Sequence, residues 1–199
     1  MRNAQTPGPF NVAIVELSRY SLFTEVFGIP AYTEKDPEDY YINPERQKNN
    51  LYSTMKDCEL VLRYFALRDP DNIRGSMKSM LDRAMEARLT PGEADLAKKE
   101  FKEQFKFLYD LFEKNPFAVP SRADGRERVS AAIYDAAMVA ANRNWLHRDE
   151  IVKNRVKVIS RMKEAIDSDV EYEVLIGRGN TAESVKDRID LLQKILLAS

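Results

Sequence analysis

The sequence predicts an all-α fold, an irregular bundle of about seven helices with little or no sheet. Three observations carry this. Apolar residues recur at steps of three and four along most of the chain, as helices with a buried face require. Helix-start signals stand in front of several of those stretches, Thr90-Pro91-Gly92-Glu93 being the clearest. Glycine occurs only 7 times in 199 residues, against a usual share of roughly 7%. So few positions free to take positive φ suit helices better than hairpins.

The elements follow in order. A Pro-rich lead precedes a helical stretch at 10–27, with Val12, Val15, Leu22 and Val26 as its apolar positions. Residues 28–44 contain Pro30, Pro37 and Pro44 and form a loop, packed down by Tyr32, Tyr40 and Tyr41. The clearest helix spans 45–67. Leu51, Met55, Cys58, Leu62 and Phe65 share one face, and Leu60 with Val61 widens it, so this helix is expected to be buried on more than one side. Asp69-Pro70 ends it. A helix at 72–88 has Asp71 as N-cap and Ile73, Met77, Met80, Leu81 and Ala84 as its stripe. The capping box at Thr90 opens the next helix, which carries Leu96, Phe101, Phe105, Leu108 and Phe112 and closes at Asn115-Pro116. Residues 117–125 form a loop. Helices follow at 127–142, with Val129, Ile133, Ala136 and Ala140 on one face, and at 148–166. Residues 170–176 have some strand character or form a connecting loop. The last helix, 181–197, aligns Val185, Ile189, Leu192 and Leu196, with Asn180 and Glu183 as its start signal. With no internal repeat and no long polar linker, a single helical domain over 1–199 is expected.

Composition excludes several function classes. A hydrophobic share of 44% with 32% charged residues fits neither a disordered tail nor a membrane protein. Lys plus Arg number 31 against 32 Asp plus Glu, a net charge of -1. A surface that grips nucleic acid all round is therefore not expected, although the balance leaves room for a local basic face. Cys58 is the only cysteine and His147 the only histidine. An internal disulfide and any multi-Cys or multi-His metal site are thereby excluded. No apolar run approaches the ~20 residues of a membrane span, and no apolar h-region follows Arg2. A cytoplasmic protein without a cofactor is the expectation.

Candidate residues are few. His147 lacks a triad setting, and Cys58 lies on an apolar helix face, so both are expected to be structural. Asp57, Glu59 and Arg63 form a denser charge group than a buried helix needs. Glu59 and Arg63, four apart, can pair on the surface, or the group can contact a partner domain. Lys153, Lys157 and Arg161 share a face opposite Val152, Val156, Ile159 and Ile166, and are candidate phosphate contacts. Arg155 points into that apolar arc and should meet a carboxylate or mark an interface. Gly177-Arg178-Gly179-Asn180-Thr181 and Asp124-Gly125-Arg126 are turns. No catalytic or metal-binding constellation emerges.

Three segments resemble a known family. They are Arg2-Asn3-Ala4-Gln5-Thr6-Pro7-Gly8-Pro9-Phe10-Asn11, then Met55-Lys56-Asp57-Cys58-Glu59-Leu60-Val61-Leu62-Arg63-Tyr64-Phe65-Ala66, then Gly177 through Ser184 with Val185, Arg188 and Ile189. In order and spacing they are similar to the helical C-terminal half of GmrSD-type proteins, the ParB-like, DNase-like proteins of bacterial restriction and phage defence (domain of unknown function 262). Thr54 stands where that family usually has Arg. The family's Asp-Gly-Gln-Gln-Arg signature, which lies in an upstream ParB-like α/β domain, is not found in this sequence. The resemblance therefore implies a non-catalytic helical portion or subunit that packs against a ParB-like nucleotide- or DNA-processing domain, with no catalytic residue of its own. It would be a fragment, a split-gene product or a truncated homologue. Arg2, Asn3, Asp57, Glu59 and Arg63 are the candidate interdomain contacts. Two other readings stand beside it: a stand-alone helical protein-interaction module, and an enzyme with a site built around Asp57 and Glu59.

Overall fold

Among the described residues, short polar side chains cap seven of the twelve α-helices, and several of the expected helices are divided. The computed structural model describes residues 8–31, 43–120, 125–177 and 179–198. Within them twelve α-helices and one two-stranded ribbon make an all-α fold. Tyr32, Tyr40 and Tyr41, expected to pack their loop down, lie outside the described residues.

The stretch expected as one helix at 10–27 is two, α1 (Pro9–Ser18) and α2 (Ser21–Val26), separated at Arg19-Tyr20. Its buried face is Phe10, Ala13, Ile14 and Leu17, whereas Val12 is 54% exposed. The helix at 45–67 is three. Asn43 caps α3 (Pro44–Lys48) and Asn49 caps α4 (Asn50–Ser53), each accepting backbone N–H bonds through its side chain. Such local bonds compete with continued helix. Met55 then takes φ 55°, in the left-handed region, and α5 (Lys56–Leu67) begins beyond it. Every residue of α5 from Leu60 to Leu67 is buried, so the widened apolar arc corresponds to a helix enclosed on nearly all sides.

Asp71 does not cap the next helix. Pro70–Asn72 is a 3-10 turn capped by Asp69, and α6 (Met77–Met85) starts later, capped by Ser76. Gly75, at φ +75°, makes the intervening reversal. The helix α7 (Pro91–Leu111) has the expected capping box: Thr90 accepts from the Glu93 amide, and Glu93 accepts from the Thr90 amide at 2.8 Å. These bonds hold the Glu93 carboxyl below its usual range. Thr90→Ala should lower stability by about 1 kcal/mol at neutral pH, as read by urea denaturation. A carboxyl with a depressed folded-state pKa stabilises above its unfolded pKa and loses that contribution as pH falls through the folded one. The deficit of Thr90→Ala should therefore narrow on acidification; a deficit that grows in acid contradicts the capping role.

In the stretch 117–129 the ribbon β1 (Ala118–Pro120) and β2 (Glu127–Val129) pairs antiparallel, with Ala118 opposite Val129. Residues 127–129, expected to be helical, are thus strand. The helix α8 (Ala131–Arg143) starts after Ser130, whose hydroxyl accepts from the Ile133 amide. The stretch at 148–166 is divided at Asn154 into α9 (Arg148–Lys153) and α10 (Arg155–Asp167). Residues 170–176 are helical, comprising most of α11 (Asp169–Tyr172) and a π turn over Glu173–Gly177. Their alternation does not make a strand, because they pack on helices and meet no sheet edge. Thr181, rather than Asn180, caps α12 (Ala182–Leu196), where Val185, Ile189, Leu192 and Leu196 are all buried as expected.

Helix α8 lies against α5, α7 and α12. Aromatic rings fill the space between them. Phe105 meets Phe23 at 5.8 Å and Phe117 at 5.5 Å, and Phe117 meets Tyr134 edge-on at 5.1 Å. This scaffold fixes the outward-facing side of α5.

Candidate functional site

Lys56, Glu59, Leu60 and Arg63 sit at i, i+3, i+4 and i+7 of α5 and so share one face. With Phe27, Leu51, Val129 and Ala131 they line an open cleft of about 400 Å³. Lys56 is exposed and Glu59 half-buried, while Leu60 and Arg63 are buried at its base.

The charges of this face have different partners from those expected. Glu59 and Arg63 do not form the expected surface pair. Arg63 crosses to α8, where its Nε lies 3.0 Å from both carboxylate oxygens of Asp135 and its Nη2 donates a further bond to Oδ2. A buried carboxylate that accepts two parallel N–H bonds outcompetes a half-exposed Glu, which water also solvates. Burial acts to lower the pKa of Arg63, but Asp135 and, at longer range, Glu59 hold it above the ordinary arginine value. Arg188 of α12 is also buried; its Nε donates to the Val174 carbonyl at 3.2 Å, and its charge also acts on Asp135.

Asp57 stands about 200° around α5 from Glu59, is 3% exposed, and does not line the cleft. Burial pushes its carboxyl above the usual carboxylate range, against the opposing pull of the Cys58 backbone amide and of Arg19. Asp57, Glu59 and Arg63 therefore do not act as one group, and the two carboxylates do not share a pocket as an acid–base pair must. Cys58 donates from Sγ to the Ser18 hydroxyl at 3.4 Å, and burial pushes its thiol up to about 11. The native protein should resist alkylation by iodoacetamide at pH 8 and react fully once unfolded in guanidinium; rapid native labelling would contradict this burial.

The other candidates are dispersed. Lys153 and Lys157 are exposed on α9 and α10, but Arg161 makes a two-pronged pair with Glu171, one bond being 2.8 Å. The apolar arc expected opposite them is displaced: Val152 and Val156 are exposed, and Ile151, Val158, Met162 and Ala165 are buried instead. Ile151, Val158, Met162 and Ala165 follow one another at steps of seven, four and three, so one helical phase runs across Asn154, and the expected arc lies beside it rather than on it. Arg155 does meet a carboxylate, Glu113 at 2.8 Å, and also donates to the Leu111 carbonyl. His147 is exposed on a 3-10 turn, its Nδ1 3.8 Å from Glu150. Arg2, Asn3, Asp124 and Arg178 lie outside the described residues. Among the described residues no group of three His, Cys, Asp or Glu side chains is placed to hold a metal ion, and no helix is long and apolar enough to cross a membrane.

Sequence reasoning missed Asp135 and gave Arg188 no role of its own. Both carry the signal that drew attention to Arg155, a charged residue on an apolar helix face. Asp135 interrupts Ala131-Ala132-Ile133-Tyr134 and Ala136-Ala137-Met138-Val139, and Arg188 falls between Val185 and Ile189.

No family model matches the chain, and neither a curated protein nor a solved structure matches it.

Proposed function

We propose that the chain is a non-catalytic helical docking portion that packs against a partner domain through the α5 cleft. The observation that carries this is the composition of that cleft: an apolar base of Phe27, Leu51 and Leu60 with Lys56 and Glu59 at its edge. Interfaces combine such an apolar centre with a polar rim. The resemblance of the Met55–Ala66 segment to GmrSD-type proteins supplies the partner's class, a ParB-like nucleotide- or DNA-processing domain of a bacterial restriction system working in the cytoplasm. In this reading Glu59 and Lys56 make the contact and Arg63 holds the face in place.

Co-expression of the tagged full chain with a ParB-like domain of a GmrSD-type protein tests the reading. The two should co-purify, and Glu59→Lys should weaken the complex at least tenfold with the helical circular dichroism unchanged. If the wild-type chain does not retain the ParB-like domain, that assignment fails. Capture of an unrelated protein through the same face would favour the stand-alone interaction module.

A further inference from the structure

A second hollow, of about 400 Å³, opens on the other end of α5 and is bounded by α1 and α6. Its apolar lining includes Phe10, Phe65, Ala84 and Leu89. A smaller hollow of about 70 Å³ shares Phe10 and Leu89 with it and extends that surface along Pro9 and Met85. The volume of the larger one lies within the range of about 300–1,000 Å³ typical of small-molecule sites.

Three arginines line the same hollow, and they differ in what already holds them. Arg83 is fixed: its Nε donates to Asn72 Oδ1 at 2.7 Å, and its Nη2 donates to the carbonyls of Asn72 and Arg74 at 2.8 and 2.7 Å. Its Nη1 makes no hydrogen bond among the described residues. Arg74 is exposed, and its guanidinium has no partner among the described residues. Arg68 lies over the Phe65 ring at 5.3 Å and pairs outward with Glu100 at 3.1 Å. The hollow also contains Asp69, whose carboxylate accepts from the Asp71 amide, and Asp71 itself, which is exposed. A guanidinium locked by three bonds is preorganised to present its remaining N–H groups to a carboxylate or phosphate.

We propose that this hollow binds a small molecule consisting of a flat apolar body and one anionic group. The body sits against Ala84, Ala87 and Leu89 with the edges of Phe10 and Phe65 beneath it, and a phosphate or carboxylate bridges Arg83 and Arg74. Neither part suffices alone: the anion needs the apolar contact because Asp69 and Asp71 offset much of the positive charge, and the body needs the anion for orientation. This site is separate from the α5 cleft, so its fate does not depend on the docking partner.

Isothermal titration of the full chain tests the proposal with three probes: phenyl phosphate, inorganic phosphate and benzyl alcohol. Phenyl phosphate should bind saturably with one site per chain, and each of the others at least tenfold more weakly. Arg74→Glu, an exposed position, and Ala87→Phe, which fills the hollow, should each weaken phenyl phosphate at least tenfold with unchanged melting temperature. Equal binding of inorganic phosphate would overturn the apolar half of the site. Unchanged affinity in both variants, or no saturable binding of phenyl phosphate, would overturn the site as a whole.

Discussion

Asp135→Ala should destabilise the fold by about 3–5 kcal/mol, because it leaves a buried guanidinium without its counter-ion. Asp135 is 1% exposed and accepts from two Arg63 nitrogens, Nε, which is shared by both carboxylate oxygens, and Nη2; Arg63 is itself buried. Arg188 adds a second buried positive charge close enough to act on Asp135. Removing Asp135 therefore takes away the carboxylate bonded to Arg63 and leaves two buried positive charges near each other. The double replacement Arg63→Met with Asp135→Leu should recover most of the loss, since apolar residues of similar size can substitute for a buried ion pair. Guanidinium denaturation of the three proteins at pH 7 measures both effects. If the double variant is as unstable as Asp135→Ala, the cost does not come from an uncompensated charge.

Phe105→Ala should cost a comparable amount, about 3–5 kcal/mol, through the cavity left in the aromatic core. Phe105 is fully buried and its ring lies within 6.1 Å of four others, those of Tyr20, Phe23, Phe101 and Phe117. These rings join α2, α7 and the turn before β1, so little can move inward to fill the space. Leu96→Ala on the same helix is the control. Leu96 is 63% exposed, and a surface change of this kind should stay within about 0.5 kcal/mol. Equal losses at the two positions would contradict the packing described.

The contrast between Phe105 and Leu96 also shows what periodicity can tell. Both belong to the same expected stripe, and only the phase of burial separates them. Helical periodicity located most of the helices because steps of three and four survive small errors in phase. It could not locate their breaks. Those depend on Asn43, Asn49 and Asn154 at helix junctions, and on Met55 in a left-handed conformation that no propensity favours. Thr90 was legible because the capping box is a local motif with its partner three residues away. The pairing of Arg63 was not legible, because Asp135 is 72 residues distant and the nearby Glu59 offers a plausible local alternative. For the same reason the charge group on α5 looked like one feature. In the fold it is three: Asp57 buried away from the cleft, Arg63 tied to α8, and Glu59 left at the cleft's edge.

That division is the premise of the proposed docking face, and the stabilities of Glu59→Ala and Arg63→Ala, measured side by side in urea, test it most directly. Arg63→Ala should lose about 3–5 kcal/mol by stranding Asp135. Glu59→Ala should remain within about 0.5 kcal/mol of the parent, as befits a side chain that the fold does not need. A loss in Glu59→Ala equal to that in Arg63→Ala would show that Glu59 belongs to the core network, and would leave the cleft without its recognition residue.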